Sequence, residues 1–393
     1  MTTREQRKIA IHIQSEVQFF SLAPLIKELE RKYRVVLVAD LFEGNKDGYN
    51  EMINGVKKLL SKNGYALHDL HEFIDDEFDL YLTTYVDGII KAKCYLKYEY
   101  GTLNIKPNLT FIPEVMEKYH GFLCQSTITY ELLKAYGATF PVDNLRFYHK
   151  QKQKTQNNQK VVLFAPTYND QKDDENLEKA LQQIKKHYHI IVKSHHGTAY
   201  LKNNNDQKTI LEKYADEYYG SDVCLSDLIL KADVCVFDNS SALAEALYAD
   251  VPCAIFAKDL DYFKLGKIHT TQYKLVKSKV IPYTDKAENI LSTLEDALSA
   301  KYIKAQQTCA KQLFPAEFRT GVDGYIEAVE WFLEDDNAKD YCRLHDLIME
   351  KKGNAEALIR ENKRLTSEIE EIKSSRAFRL ATKLGKIRRK KNG

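Results

Sequence analysis

No stretch of this 393-residue sequence approaches the roughly 18 consecutive apolar residues of a membrane-spanning helix, and a mean hydropathy of −0.47 agrees. The first residues, Met1 to Lys8, lack the apolar core of a signal peptide, so export by that route is not expected. The seven cysteines form no C-x-x-C pair and have no His at zinc spacing. Cys235 and Cys253 lie inside apolar runs and read as small core residues, a usage that suits a reducing cytoplasm. No Asp/Glu/His cluster shows ligand spacing, so neither a metal nor a resident cofactor is expected.

Acidic residues are absent after Glu371. Nine basic residues fill that segment: Lys373, Arg376, Arg379, Lys383, Lys386, Arg388, Arg389, Lys390 and Lys391. Setting these nine aside from 58 Lys+Arg leaves 49 against 56 Asp+Glu, so the formal +2 conceals a body of −7 with a basic tail. A nucleic-acid binder usually spreads its charge over the folded face, and the acidic body argues against one.

At roughly 100–200 residues per domain the length predicts two or three domains. Apolar runs alternate with helical patterns: Ile9–Ile13, a helix carrying Phe19, Leu22, Leu25, Ile26 and Leu29, then Val35–Val38, Leu80–Leu82 and Phe122–Cys124. This is the rhythm of βαβ units and a mostly parallel sheet. The polar segment Lys150–Lys160 reads as a linker. Beyond it strands are expected at Val161–Ala165, Ile190–Val192, Val234–Phe237 and Cys253–Phe256, with helices near 175–187, 226–232 and 241–249. The expected fold is α/β: a doubly wound domain over 1–150, a second over 151–323 facing it across a cleft, and a C-terminal helical tail. Such sheets bind ligands beyond their strand C-termini.

The tail divides at residue 373. Over 324–372 a helical pattern carries Trp331, Phe332, Leu344 and Leu347. Ala355, Leu358, Asn362, Leu365, Ile369 and Ile372 then follow at alternating three- and four-residue spacing. That is a heptad seam with Asn362 at position a, suited to self-association or to packing on the chain's own body. Over 373–393 the stripe Ala377, Leu380, Ala381, Leu384 and Ile387 is surrounded by basic residues. An amphipathic basic helix over 376–391 fits an anionic membrane surface, the alternative being a solvated tail.

Three segments of the second domain end strands with polar groups. Ala165-Pro166-Thr167-Tyr168-Asn169 brings two hydroxyls to the cleft rim, and Lys193-Ser194-His195 brings a cation and an imidazole. Phe237-Asp238-Asn239-Ser240-Ser241 runs into a helix, whose first N–H groups would either hold a phosphate or be capped by these same side chains. Glu245, one turn on, is placed to accept from a ribose.

In order and spacing these segments resemble the CDP-glycerol glycerophosphotransferase family, the teichoic-acid primases and polymerases of GT-B fold. That family reads A-P-T-[WY]-R, then R-P-H, then T-D-Y-S-S with an acidic residue in the next turn. The similarity spans about residues 160–260, including Asp250-Val251-Pro252-Cys253-Ala254-Ile255-Phe256. It implies that His195, Ser240 and Ser241 hold the donor diphosphate and Glu245 the ribose. By the same resemblance Thr167, Tyr168, Lys193, Asp238 and Asn239 are expected in the nucleotide-binding set. The family's H-G-T-x-x-K loop has its nearest counterpart in Tyr100-Gly101-Thr102-Leu103-Asn104-Ile105-Lys106, so Tyr100 stands where the acceptor-activating His would be, and Gly101, Thr102 and Lys106 stand on the acceptor side. The G-Y-P-R-N-D segment corresponds to Thr139-Phe140-Pro141-Val142-Asp143-Asn144 and lacks its Arg. A phenol with a pKa near ~10 is a poor base at neutral pH. His12 and Glu16, in the first β–α connection, are the better proton acceptors; alternatively His12 lies in the core and Glu16 supplies charge at a helix start.

The expected activity is transfer of glycerol phosphate, or a similar polyol phosphate, from a CDP-activated donor to a lipid-linked or glycan acceptor, with release of CMP. The setting would be teichoic-acid or capsule synthesis at the inner membrane face. A GT-B glycosyltransferase using a nucleotide sugar is the alternative, and a non-catalytic membrane-recruited scaffold the third.

Overall fold

Continuous apolar runs become the inner strands of two parallel sheets, because strands covered by helices on both faces have no polar side. The computed structural model describes residues 6–41, 49–84, 88–98, 113–152, 159–167, 174–195, 205–260 and 269–374. Met1–Asp335 forms one compact unit and Asp336–Gly393 a second.

Among the described residues the first sheet has seven strands: β1 Lys8–His12, β2 Arg34–Ala39, β3 His68–Asp69, β4 Leu80–Thr83, β5 Tyr95–Tyr98, β6 Gly121–Cys124 and β7 Ala138–Pro141. Their order is β3-β2-β1-β4-β5-β6-β7, all parallel, with Ile9 opposite Val35 on one side and Leu80 on the other. A two-stranded ladder joins Glu77–Phe78 to Lys91–Ala92. The helix Glu16–Leu29 follows β1 and begins with a capping box, in which Ser15 accepts from the Gln18 N–H and Gln18 accepts from Ser15.

The second sheet has six among the described residues: β8 Val161–Phe164, β9 His189–Lys193, β10 Glu217–Tyr219, β11 Val234–Phe237, β12 Cys253–Phe256 and β13 Tyr283–Thr284, in the order β10-β9-β8-β11-β12-β13. In both sheets the strand order reverses beside the first strand, so each has a switch point at its C-terminal edge. In the second sheet this lies between β8 and β11. Cys235 and Cys253 are fully buried on adjacent strands, opposite each other, as the apolar runs predict.

The helix Asp323–Glu334 follows the second sheet yet packs on the first. Trp331 and Phe332 contact Phe140 of β7, with ring centroids 5.6 and 5.8 Å away, and Gln125 donates to the Tyr325 hydroxyl at 2.9 Å. This part of the 324–372 pattern therefore belongs to the body, and the aromatic residues are used in closing it. Among the described residues the second unit is one long helix, Asp336–Ser374, of 39 residues. The basic segment 376–391 lies outside the described residues. Among the described residues, no helix is long and apolar enough to cross a membrane.

Candidate active site

The end of β8 is tied to the end of β11 by one carboxylate. The Thr167 N–H and hydroxyl both donate to Asp238 Oδ2, at 2.8 and 2.6 Å. Burial raises the Asp238 pKa to about 6, against the opposing pull of the two Thr167 hydrogen bonds. Asp238 thus holds the two loops of the switch point together.

Beside this link a solvent-open cleft lies between the two domains. Val17 and Phe20 of the helix Glu16–Leu29 form its apolar side. Ala165 and Pro166 come from the end of β8, and Lys193, Ser194 and His195 from the end of β9. Ser240, Ser241, Ala242 and Glu245 follow β11, and Arg146 comes from the segment joining the domains. Three nitrogenous side chains thus converge on one wall.

Lys193 is 8% exposed. Its ammonium donates to the Ser194 carbonyl at 3.1 Å. Burial lowers its pKa to about 8, although Cys224, Glu16, Asp222 and Glu245 pull it upward. It remains mainly protonated at neutral pH, a cation poorly solvated and suited to an anionic ligand. His195, half-buried, stands two residues further along the same wall.

The approach to the next helix differs from the sequence expectation. The helix starts at Leu243, after Ala242 as an N-cap without a side-chain bond, and ends at Tyr248. Ser240 Oγ accepts from the Ala242 N–H at 3.2 Å, while the Ala244 and Glu245 N–H groups bond the Ser241 and Ala242 carbonyls. The amides expected to face a phosphate are therefore used within a tight turn. Asn239, 3% exposed, has neither amide atom bonded among the described residues.

Glu245 is buried and pairs with an equally buried Arg146, Nη1 to Oε1 at 2.8 Å. Burial raises the Glu245 pKa, with the Arg146 charge opposing. Its Oε2 is buried and has no hydrogen-bond partner among the described residues. Sequence reasoning missed Arg146. It sits in the one-turn helix Leu145–Phe147, where Asn144 accepts its N–H. A charged residue between Leu145 and Phe147 was the available signal, and it supplies a guanidinium close to the segment where the family's Arg is lacking.

The candidate bases separate. The His12 ring is buried, 6.5 Å edge-on from Tyr81, and does not line the cleft, so the core reading holds for it. Its strand position turns the ring into the sheet's packing. Glu16 is 1% exposed at the start of its helix, and Ser221 of the second domain donates to its Oε1 at 3.0 Å. Tyr168, Tyr100, Gly101, Thr102 and Lys106 lie outside the described residues. Elsewhere, Asp40, Asp69 and His71 offer ligand atoms within 4.8 Å of one another, but Asp69 Oδ1 already caps the turn Leu70–Phe73 through the His71 N–H.

Residues 147–308 match the family model of CDP-glycerol:poly(glycerophosphate) glycerophosphotransferase. The match contains the whole second sheet together with Lys193, His195, Ser240, Ser241 and Glu245, so the likeness read from the three motifs is borne out there. No curated protein sequence matches the chain. Among solved structures, a candidate UDP-N-acetylglucosamine 2-epimerase of Listeria monocytogenes superposes with a TM-score of 0.59 at 12% identity, over 84% of this chain and 97% of that one. S. aureus MnaA, solved with UDP, gives 0.53 at 11% identity over 83% and 97%. The glycotransferase of kitacinnamycin gives 0.53 at 11% over 84% and 100%. At such identities the likeness is one of fold, and the fold is GT-B-like.

Proposed function

We propose that the chain is a glycopolymer transferase that moves glycerol phosphate, or a similar polyol phosphate, from a CDP-activated donor to a hydroxyl of a lipid-linked or glycan acceptor. The observation that carries this reading is that Lys193 and His195, within the family-matched region, and Arg146, just before it, line one cleft beside a buried carboxylate whose Oε2 has no partner among the described residues. In the proposed reaction the acceptor oxygen attacks the β-phosphorus. The bond between that phosphorus and the oxygen bridging to the α-phosphate breaks, CMP leaves with the bond's electrons, and the acceptor proton passes to a base.

Lys193 and Arg146 would offset charge as it gathers on the bridging oxygen. Glu245 Oε2 would accept from the ribose. Glu16 accepts from Ser221 and does not line the cleft, whereas His195 lines it, so His195 is the group we assign either to take the proton or to hold the diphosphate. Thermal-shift measurement with CDP-, UDP- and CMP-linked donors tests the assignment. Stabilisation by CDP-glycerol that is lost in His195→Ala supports it, and equal stabilisation of both proteins rejects the role of His195.

A nucleotide-sugar transferase in the same cleft is the second reading, favoured by Tyr100 where the family motif has His. The basic segment 376–391 would hold the enzyme against anionic lipid at the cytoplasmic face of the membrane. Removing residues 374–393 should then release it to the soluble fraction, and unchanged fractionation would refute the tether. Polymer synthesis at normal rate in cells carrying His195→Ala would instead point to a non-catalytic scaffold.

A further inference from the structure

Every residue of the long helix from Glu350 to Ser367 is exposed, yet apolar residues recur along it at heptad spacing. Ile348, Ala355, Asn362 and Ile369 fall at position a, and Leu344, Lys351, Leu358, Leu365 and Ile372 at position d. Leu344 is 56% exposed, Ile348 52%, Leu358 72% and Leu365 42%. A helix this long is not held by backbone propensity alone; helices in proteins gain most of their stability from a packed apolar face. In the sequence the heptad spacing continues over 355–372 with Asn362 as its polar member, and Lys351 interrupts it on the N-terminal side, where its aliphatic stem can lie along the seam with the ammonium in water.

We propose that this helix pairs with a second copy of the chain as a parallel, in-register two-stranded coiled coil centred on Asn362. Asn362 decides both orientation and register. In a parallel pair each a residue faces its own copy, so the two amides hydrogen-bond to each other. An antiparallel pair sets a against d, which would bury the amide opposite leucine without a partner. The sequence also places Glu368 at position g and Lys373 at position e, residues of opposite charge that a parallel pair brings opposite each other. The pairing rests on nothing assumed about the chemistry of the cleft, and it carries both basic C-terminal segments to the same end.

Sedimentation equilibrium of the full chain should give twice its 45.5 kDa at micromolar concentration. A monomer, a trimer or any larger assembly overturns the proposal. The double variant Leu358→Glu/Leu365→Glu alters exposed positions and should sediment as a monomer with the melting of the body unchanged; a persisting dimer places the contact elsewhere and overturns it too. Orientation is tested separately by mild oxidation of Asn362→Cys, the seven native cysteines being buried. This variant should link quantitatively across the seam while Arg360→Cys, at the outward f position, does not. A dimer in which Asn362→Cys fails to link contradicts the parallel register.

Discussion

Arg146 and Glu245 form a buried ion pair, 2.8 Å from Nη1 to Oε1, between the segment joining the domains and the helix after β11. The pair gives the cleft a charged wall in which neither partner is solvated. Removing one partner leaves the other buried and uncompensated, which typically costs about 3–5 kcal/mol. Glu245→Ala should therefore lower stability by about 3 kcal/mol in urea denaturation and also weaken nucleotide binding. An unchanged midpoint would show that the pair is not held as described.

The pKa of Lys193, near 8 because of burial, would set a pH limit on donor binding in the proposed reaction. Below that pH the ammonium is charged and attracts the diphosphate; above it the free protein must first take up a proton. Affinity should fall by up to about tenfold per pH unit above pH ~8, until the pKa of the bound state is reached. Lys193→Met should bind more weakly at neutral pH and lose this dependence. Titration calorimetry at several pH values checks both, and a wild-type affinity constant from pH 7 to 9 would contradict the assignment.

Asp238 shifts the other way, to about 6 from an ordinary 3.8. A raised carboxyl pKa contributes stability that is fully present below about pH 4 and lost as the pH climbs through about 6, here worth about 3 kcal/mol. Asp238→Asn cannot ionise and should flatten that part of the stability profile. Denaturation at pH 4, 5, 6 and 7 makes the comparison, and parallel profiles would refute it.

Much of the fold was legible because its inner strands are apolar on both faces. Val234–Phe237 and Cys253–Phe256 are buried at every position and were read from the sequence with the same bounds. Tyr95–Tyr98 was not, because Lys97 interrupts the apolar run. That lysine is 1% exposed, and its ammonium reaches the Thr84 carbonyl at 3.1 Å. Glu217–Tyr219 is an edge strand whose half-buried residues carry no clear pattern. In the cleft, the ends of β8, β9 and β11 were legible from polar residues following apolar runs. Arg146 was not, since its partner comes from a distant part of the chain. The late helix start at Leu243 was also hidden, because Ser240 can cap a helix or stabilise a turn, and its sequence looks the same in both.

Gly121 reports on how the helix Asp323–Glu334 closes the body. A Cβ there would lie 2.5 Å from Phe332 Cζ and 3.1 Å from the Ala138 carbonyl oxygen. Gly121→Ala must displace the ring from β6 and should cost about 1–3 kcal/mol. Pairing it with Phe332→Leu should recover part of the loss, measured as a double-mutant cycle. Strict additivity would mean that the two do not meet.

Product analysis of the purified protein with CDP-glycerol, UDP-sugars and CMP-sugars tests the proposed activity most directly. The account predicts CMP together with an acceptor that has gained glycerol phosphate or a similar polyol phosphate, and loss of both products in His195→Ala. Release of UDP with transfer of a sugar, and no turnover of the CDP-linked donor, would contradict it.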